Sequence, residues 1–362
     1  MFLGALVAAA VLLQVWARLS LDTSSVARAL VWMDADVDDY KRFPSRGIPA
    51  GAAVEELSRP STPERIGPSD AFLEESQTTA FIVLRDDQVL REDYYSGSSH
   101  EAVQTSFSVA KSFMSTLLGV AVDQGLIDSV DYPITDYIPE LAERDAGFER
   151  ITIRHLMTMS SGLHYEEEGT PWSDDTTTYY APDLRAAALS TVIEEPPGER
   201  FHYNNYNLLI AGLILERATD EHISDFMARE LWQPMGAEAD ASWSLDSESG
   251  FEKSESEINA RAIDFARFGL LMLREGRRAG EQVVPAEWVR EATALDASHD
   301  PAKHYQYWWW IDTKRPGRYY AAGNKGQYVY VAPDKDAVVV RMGRDFGVEG
   351  WRRILRRTAD AI

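Results

Sequence analysis

Two periodicities divide this chain, and the switch between them outlines a fold. Phe81–Leu90 places two short apolar runs around a charged turn, which predicts a β-hairpin. Phe113–Val122 is nearly all apolar and closes at Gly125, which predicts a buried helix. A second helix is expected over Leu208–Leu215, and a third from about Ile258 to Glu275, ended by Gly276. Toward the C-terminus, Tyr319–Val331 and Asp336–Met342 read as strands joined by the turn 332–335, with a closing helix over 349–361. The aromatic run Tyr305–Trp310 reads as a core strand, with the lining of an acyl pocket as the alternative. Strands at both ends and helices from Ser108 to about 240 predict an α/β body with an inserted helical lobe, the cleft lying between them.

The ends of the chain carry other patterns. Phe2–Trp16 is apolar apart from Gln14, with no basic residue ahead of it and Arg18 behind. As a helix it rises about 22 Å, against a hydrocarbon core of roughly 30 Å, unless residues 17–21 extend it. Residues 1–21 are expected to be an uncleaved membrane anchor, a cleaved signal or a docked terminal helix, and the pattern leaves the three open. Residues 22–72 contain several prolines and predict an irregular arm packed on a catalytic body of residues 73–362, whose helical lobe spans about 112–250. The stretch 246–257 is rich in Asp, Glu and Ser and reads as an acidic surface loop.

Composition narrows the function. The 362 residues are 45% hydrophobic and suffice for one sizeable core. A net charge of −22 argues against nucleic acid or anionic membrane surfaces as partners. With no cysteine there is no disulfide, thiol nucleophile or thiolate metal site. Asp34-x-Asp36-x-Asp38 begins like a calcium loop, but Asp39 stands where the turn needs glycine. His155, His164 and His202 do not fall at paired ligand spacing, and His155 reads as structural. Neither a metal nor a cofactor is expected.

The candidate chemistry lies in three separated segments. Ser108-Val-Ala-Lys111 opens the first predicted helix. A serine hydroxyl needs a neighbour to take its proton, and a lysine three residues on shares its helix face. Tyr203-Asn204-Asn205 lies just before the second helix. A tyrosine beside an ammonium group is expected to have its phenol pKa lowered, so Tyr203 can take and return the Ser108 proton. Gly323 and Gly326 interrupt a strand; they form either a bulge or a close backbone approach in which the Gln327 N–H helps hold an oxyanion. Trp172, Tyr179 and Tyr180 are further candidates for substrate contact.

With these three segments in order, residues 75–345 resemble the serine hydrolases related to class C β-lactamases and penicillin-binding proteins, most closely the 6-aminohexanoate-dimer hydrolase and esterase branch. The resemblance implies a β-lactamase-like fold, an antiparallel sheet flanked by helices with the helical lobe inserted. It implies Ser108 as acylated nucleophile, Lys111 as its amine partner and Tyr203 as proton shuttle, with Asn205, Asn324, Gly326 and Gln327 around the substrate and oxyanion. The family's third motif, Lys-Thr-Gly, falls on Asn324-Lys325-Gly326. Asn324 stands where the lysine belongs, so one cation able to hold a substrate carboxylate is missing. That favours a small ester or amide substrate over β-lactams and D-amino-acid peptides. The rival from another class is a catalytically silent binding or sensor protein on the same fold.

Overall fold

The computed structural model describes residues 2–52, 56–61, 65–295 and 301–362. Strands β1 (Ser45–Ile48), β2 (Thr78–Arg85), β3 (Gln88–Tyr94), β4 (Val103–Thr105), β5 (Ala241–Ser244) and β6 (Ile258–Arg261) precede a small hairpin, β7 (Arg277–Arg278) and β8 (Glu281–Gln282). Then come β9 (Tyr305–Gln306), β10 (Trp309–Ile311), β11 (Tyr319–Gly323), β12 (Gln327–Ala332) and β13 (Ala337–Gly343). Seven strands form one antiparallel sheet in the order β3-β2-β13-β12-β11-β10-β9, so the two ends of the chain meet at its centre where β2 pairs β13. A smaller antiparallel sheet runs β1-β5-β6-β4.

Alternation places the large sheet between two cores. Ala80, Ile82 and Leu84 of β2 face the main core, while Phe81 and Val83 face a smaller one beneath the closing helix, where Trp351 and Leu355 pack. A strand covered on both faces reads as a continuous apolar run, as β2 does.

The helices number α1 (Phe2–Leu19), α2 (Ser25–Trp32), α3 (Asp70–Glu75), α4 (Ala110–Asp123), α5 (Pro139–Arg144), α6 (Ile153–Met157) and α7 (Asp174–Tyr180). They continue as α8 (Leu184–Ser190), α9 (Tyr206–Thr219), α10 (Ile223–Met227), α11 (Ala262–Leu273), α12 (Ala286–Thr293) and α13 (Trp351–Asp360). The helices α4 to α10 lie between β4 and β5 in the chain, which is the expected helical insertion. Helix α11 crosses the main sheet so closely that a Cβ on Gly269 would stand 2.6 Å from Val338.

Three expectations change. The helix expected over 258–275 starts at Ala262, because Ile258–Arg261 pairs as a strand with both β4 and β5. The arm is more regular than its prolines suggest. It supplies β1, which pairs β5, and α2, whose buried Arg28 donates to Tyr180 O (3.3 Å) and Asp246 O (2.8 Å). Lastly, α1 packs on α2 with Ala17 buried and Leu12 and Leu19 exposed. No helix among the described residues is long and apolar enough to cross a membrane, so the expected anchor at residues 2–21 finds no spanning helix to support it.

Candidate active site

Ser108 sits where strand β4 turns into α4. Ser106 bolts this turn to β6: its N–H donates to Ile258 O (2.8 Å), and its hydroxyl accepts from Ile258 N (2.9 Å). Phe107 then takes a left-handed φ of 42°, a conformation that costs a side-chain-bearing residue about 1–3 kcal/mol. That reversal delivers Ser108 to a short 3-10 turn, Phe107–Val109, which runs directly into α4. Backbone N–H groups in the first turn of a helix have no partner within it, which leaves donors near Ser108 for an incoming oxygen.

One turn on, Lys111 is buried at 1% exposure. Its Nζ donates to Ser108 Oγ (3.0 Å) and to the Glu255 carbonyl (2.7 Å), and lies 5.2 Å from the centre of the Tyr203 ring. Burial pulls its pKa down to about 8, against the opposing charges of Glu255, Asp175 and Glu167. Tyr203 joins the pair from the segment preceding α9, its ring beside the Lys111 amine. The Tyr203 ring stacks on Trp310 at 6.0 Å and meets Tyr305 edge-on at 6.1 Å. The 305–310 run is not the single core strand expected but a tight hairpin, β9 pairing β10 across the left-handed Tyr307 and Trp308, and its Tyr305 and Trp310 wedge Tyr203 in place.

The expected phenolate bias is overturned. Burial raises the Tyr203 pKa, and the nearby carboxylates Glu167, Asp175 and Glu255 raise it further, against an opposing influence of the neighbouring Ser108. Of the two, Lys111 is therefore the group whose proton comes off nearer physiological pH.

The residues expected around the substrate separate into two groups. Asn205 and Asn324 line a cleft of about 330 Å³ with Ser108. Asn205 Nδ2 donates to Tyr165 Oη (2.8 Å), and its Oδ1 is buried without a hydrogen-bond partner. Gly326 and Gln327 lie elsewhere. A Cβ on Gly326 would meet Arg341 at 2.4 Å, and the Gln327 side chain exchanges hydrogen bonds with the Gly343 backbone at 2.7 and 2.9 Å. The Gln327 N–H already donates to Asn324 O, so it is not the free donor expected for an oxyanion. The physical reason is the turn. Strand β11 ends at Gly323 and the chain reverses through Asn324–Gly326 with Lys325 at φ 56°, so strand alternation does not run through these residues. Gly323 is the glycine that closes on the Ser108 turn: a Cβ there would stand 2.4 Å from Ser106 O and 3.1 Å from Ser108 N.

The predicted surface loop is also corrected. Residues 252–257 are buried, and their charges are compensated inside. Arg46 pairs with Glu252 at 2.5 Å. Lys253 lies between the rings of Phe43 (3.7 Å) and Tyr179 (3.5 Å), donates to Tyr179 O (2.6 Å) and faces Glu257 at 3.3 Å. Acid-rich composition implies solvent only where no cation is interleaved, and Lys253 was the available signal. Tyr179 and Tyr180 line the cleft, whereas Trp172 is 73% exposed and does not. The arm supplies the wall that the sequence did not reveal, through Leu30, Met33 and Asp34. His155 is structural: its Nδ1 accepts from Thr152 N (3.1 Å) in a capping box on α6.

Comparison with known proteins accords with this geometry. Residues 70–361 match the Beta-lactamase family model. The 6-aminohexanoate-dimer hydrolase of Paenarthrobacter ureafaciens is 27% identical over 323 residues, covering 82% of this chain and 80% of that protein. A candidate 6-aminohexanoate-dimer hydrolase from Bacillus anthracis superposes with a TM-score of 0.78 at 20% identity, over 88% of this chain and 90% of that one. A family VIII carboxylesterase does so with a TM-score of 0.60 at 15% identity, over 81% and 95%. The chain belongs to the β-lactamase family of serine hydrolases.

Proposed function

We propose that this protein hydrolyses an amide or ester bond through an acyl-enzyme on Ser108, with Lys111 and Tyr203 moving the protons. One observation carries the proposal: the buried Lys111 amine donates to the Ser108 hydroxyl at 3.0 Å while standing 5.2 Å from the centre of the Tyr203 ring. In the neutral form, Lys111 accepts the Ser108 proton as Oγ bonds to the substrate carbonyl carbon. The carbonyl oxygen becomes an oxyanion held by backbone N–H groups at Ser108 and in the peptide that follows Gly323. As the tetrahedral intermediate collapses, the departing amine or alkoxide takes the Tyr203 proton, and Lys111 returns one to Tyr203. Water then attacks the ester of Ser108 by the same path in reverse.

The substrate class follows from charge. The ionisable side chains lining the cleft include Asp34, Asp175 and Glu255, and no lysine or arginine is among its described lining residues. Such a cleft favours neutral or ammonium-bearing substrates and repels carboxylates such as those of β-lactams. The hydrolase relative supports cleavage of an amide or ester bond.

The test is a panel of p-nitrophenyl esters, linear amides, D-amino-acid peptides and a chromogenic cephalosporin. Turnover is expected for the uncharged or amine-bearing esters and amides and not for the cephalosporin. Ser108→Ala should lose at least about 10⁴-fold in kcat and all labelling by a serine-directed phosphonate. A variant that still turns over ester at the native rate refutes the assignment.

A further inference from the structure

Three residues before Glu255, on the same buried segment, Glu252 presents an unusual carboxylate. It is fully buried. One oxygen, Oε1, accepts from Arg46 Nη1 (2.5 Å) and from the Ser224 backbone N–H (3.1 Å). The other, Oε2, is buried with no hydrogen-bond partner. Beside it, His222 Nδ1 and Ser224 Oγ are also buried without hydrogen-bond partners, and His222 Nδ1 lies 3.5 Å from Glu216 Oε1. Arg185 holds Glu216 through Nε (3.1 Å) and Nη2 (2.5 Å). Ligand atoms of Glu216, His222 and Glu252 all lie within 4.8 Å of one another. Buried polar atoms without partners are rare, and two of these belong to members of the same three-residue cluster, which calls for an occupant.

We infer that Glu216, His222 and Glu252 bind a single divalent cation of the zinc type. One imidazole nitrogen and two carboxylate oxygens, with an open fourth position for water, suit a small tetrahedral ion. Magnesium needs near-octahedral oxygen coordination, which this set does not offer. Arg46 and Arg185 act as the outer partners that fix ligating carboxylates in place. They also offset part of the ligand charge, so binding is weaker than in a site without them. The three ligands come from α9, the start of α10 and the 252–257 segment, and no local sequence motif unites them. A bound ion would clamp that segment, whose Glu255 carbonyl receives the Lys111 amine at 2.7 Å. The inference does not depend on the reaction proposed above. The competing account is a direct contact of His222 with Glu216 and no metal.

Zinc chloride titrated into the untagged, EDTA-treated full chain separates the two, with calorimetry and thermal unfolding as readouts. One equivalent should bind, and Tm should rise by roughly 3–6 °C at a hundred-fold excess over Kd, with no comparable rise for magnesium. His222→Ala and Glu252→Gln should each weaken zinc binding at least about ten-fold. Should Glu252→Gln fail to fold, His222→Ala decides alone, since that side chain is 45% exposed and removes no buried charge. Absence of zinc binding by the native chain, or unchanged affinity in His222→Ala, overturns the site.

Discussion

Two segments flank the Lys111 amine, and both are buried, yet they differ in almost every other respect. Helix α4, on which Lys111 stands, is apolar from Phe113 to Val122 and fills the main core with Phe113, Met114, Leu117 and Leu118. The facing segment, Glu252–Glu257, holds four ionisable side chains, all buried. The first is stabilised by apolar surface removed from water, a non-directional effect that tolerates modest change. In the second, three of the four charges meet a partner: Arg46 for Glu252, and Lys253 for Glu257, with two aromatic faces over Lys253. Burying charges in this way contributes little net stability, while removal of one member leaves its partner exposed to the full desolvation cost. What the charged segment supplies is placement. Its backbone carbonyl and its carboxylate both bear on Lys111.

That contrast can be broken most forcefully at Lys253. Lys253→Met should cost about 3–5 kcal/mol and, in whatever folds, also lower kcat, because Glu257 and the Tyr179 carbonyl lose their cation. Leu117→Ala should cost about 2–5 kcal/mol in chemical denaturation while the folded fraction keeps its native kcat. Equal loss of kcat in the two variants would erase the distinction. A smaller effect is expected from the two glycines of the third motif. Gly323→Ala should lower activity about 10²-fold by displacing the Ser106–Ser108 turn, as read by kcat/KM. Gly326→Ala should instead lower Tm through its positive φ of 78° and its contact with Arg341.

The finest test is titration. The rate should rise with pH through about 8 as Lys111 loses its proton, since the neutral amine is the working base. The Glu255 carboxylate opposes the downward shift of Lys111, so Glu255→Gln should move that rising limb to lower pH. Leu117→Ala should leave the limb where it is. A kcat/KM profile flat from pH 6 to about 9 in the native enzyme would remove Lys111 from its proposed role.

Legibility in the sequence followed the same division. Helices α4, α9 and α13 and strands β2, β3 and β11 to β13 were apparent from apolar period alone, because each buries apolar side chains on a regular face. Ser108, Lys111 and Tyr203 were legible as a set, and their side chains converge. What failed depended on pairing across distance. The strand at Ile258–Arg261 is defined by its neighbours β4 and β5 rather than by its own composition. The oxyanion assignment to Gln327 rested on two glycines in an extended stretch, whereas the chain turns there through a left-handed Lys325 and the Gln327 N–H donates to Asn324 O. The direction of the Tyr203 shift was missed because burial is the largest influence on the phenol and the nearby carboxylates act in the same direction.

The arm that threads α2 along the cleft has a practical corollary. Residues 70–361 carry the family signature, but Leu30, Met33 and Asp34 lie ahead of that boundary and still face the space above Ser108. A shortened chain starting at residue 70 would keep the nucleophile, its amine and its phenol, yet lose one side of the chamber and the strand that seals β5. Selectivity among acyl groups would then slacken before catalysis itself disappeared. Relatives that share the catalytic residues but differ ahead of them are where divergence of substrate should be sought.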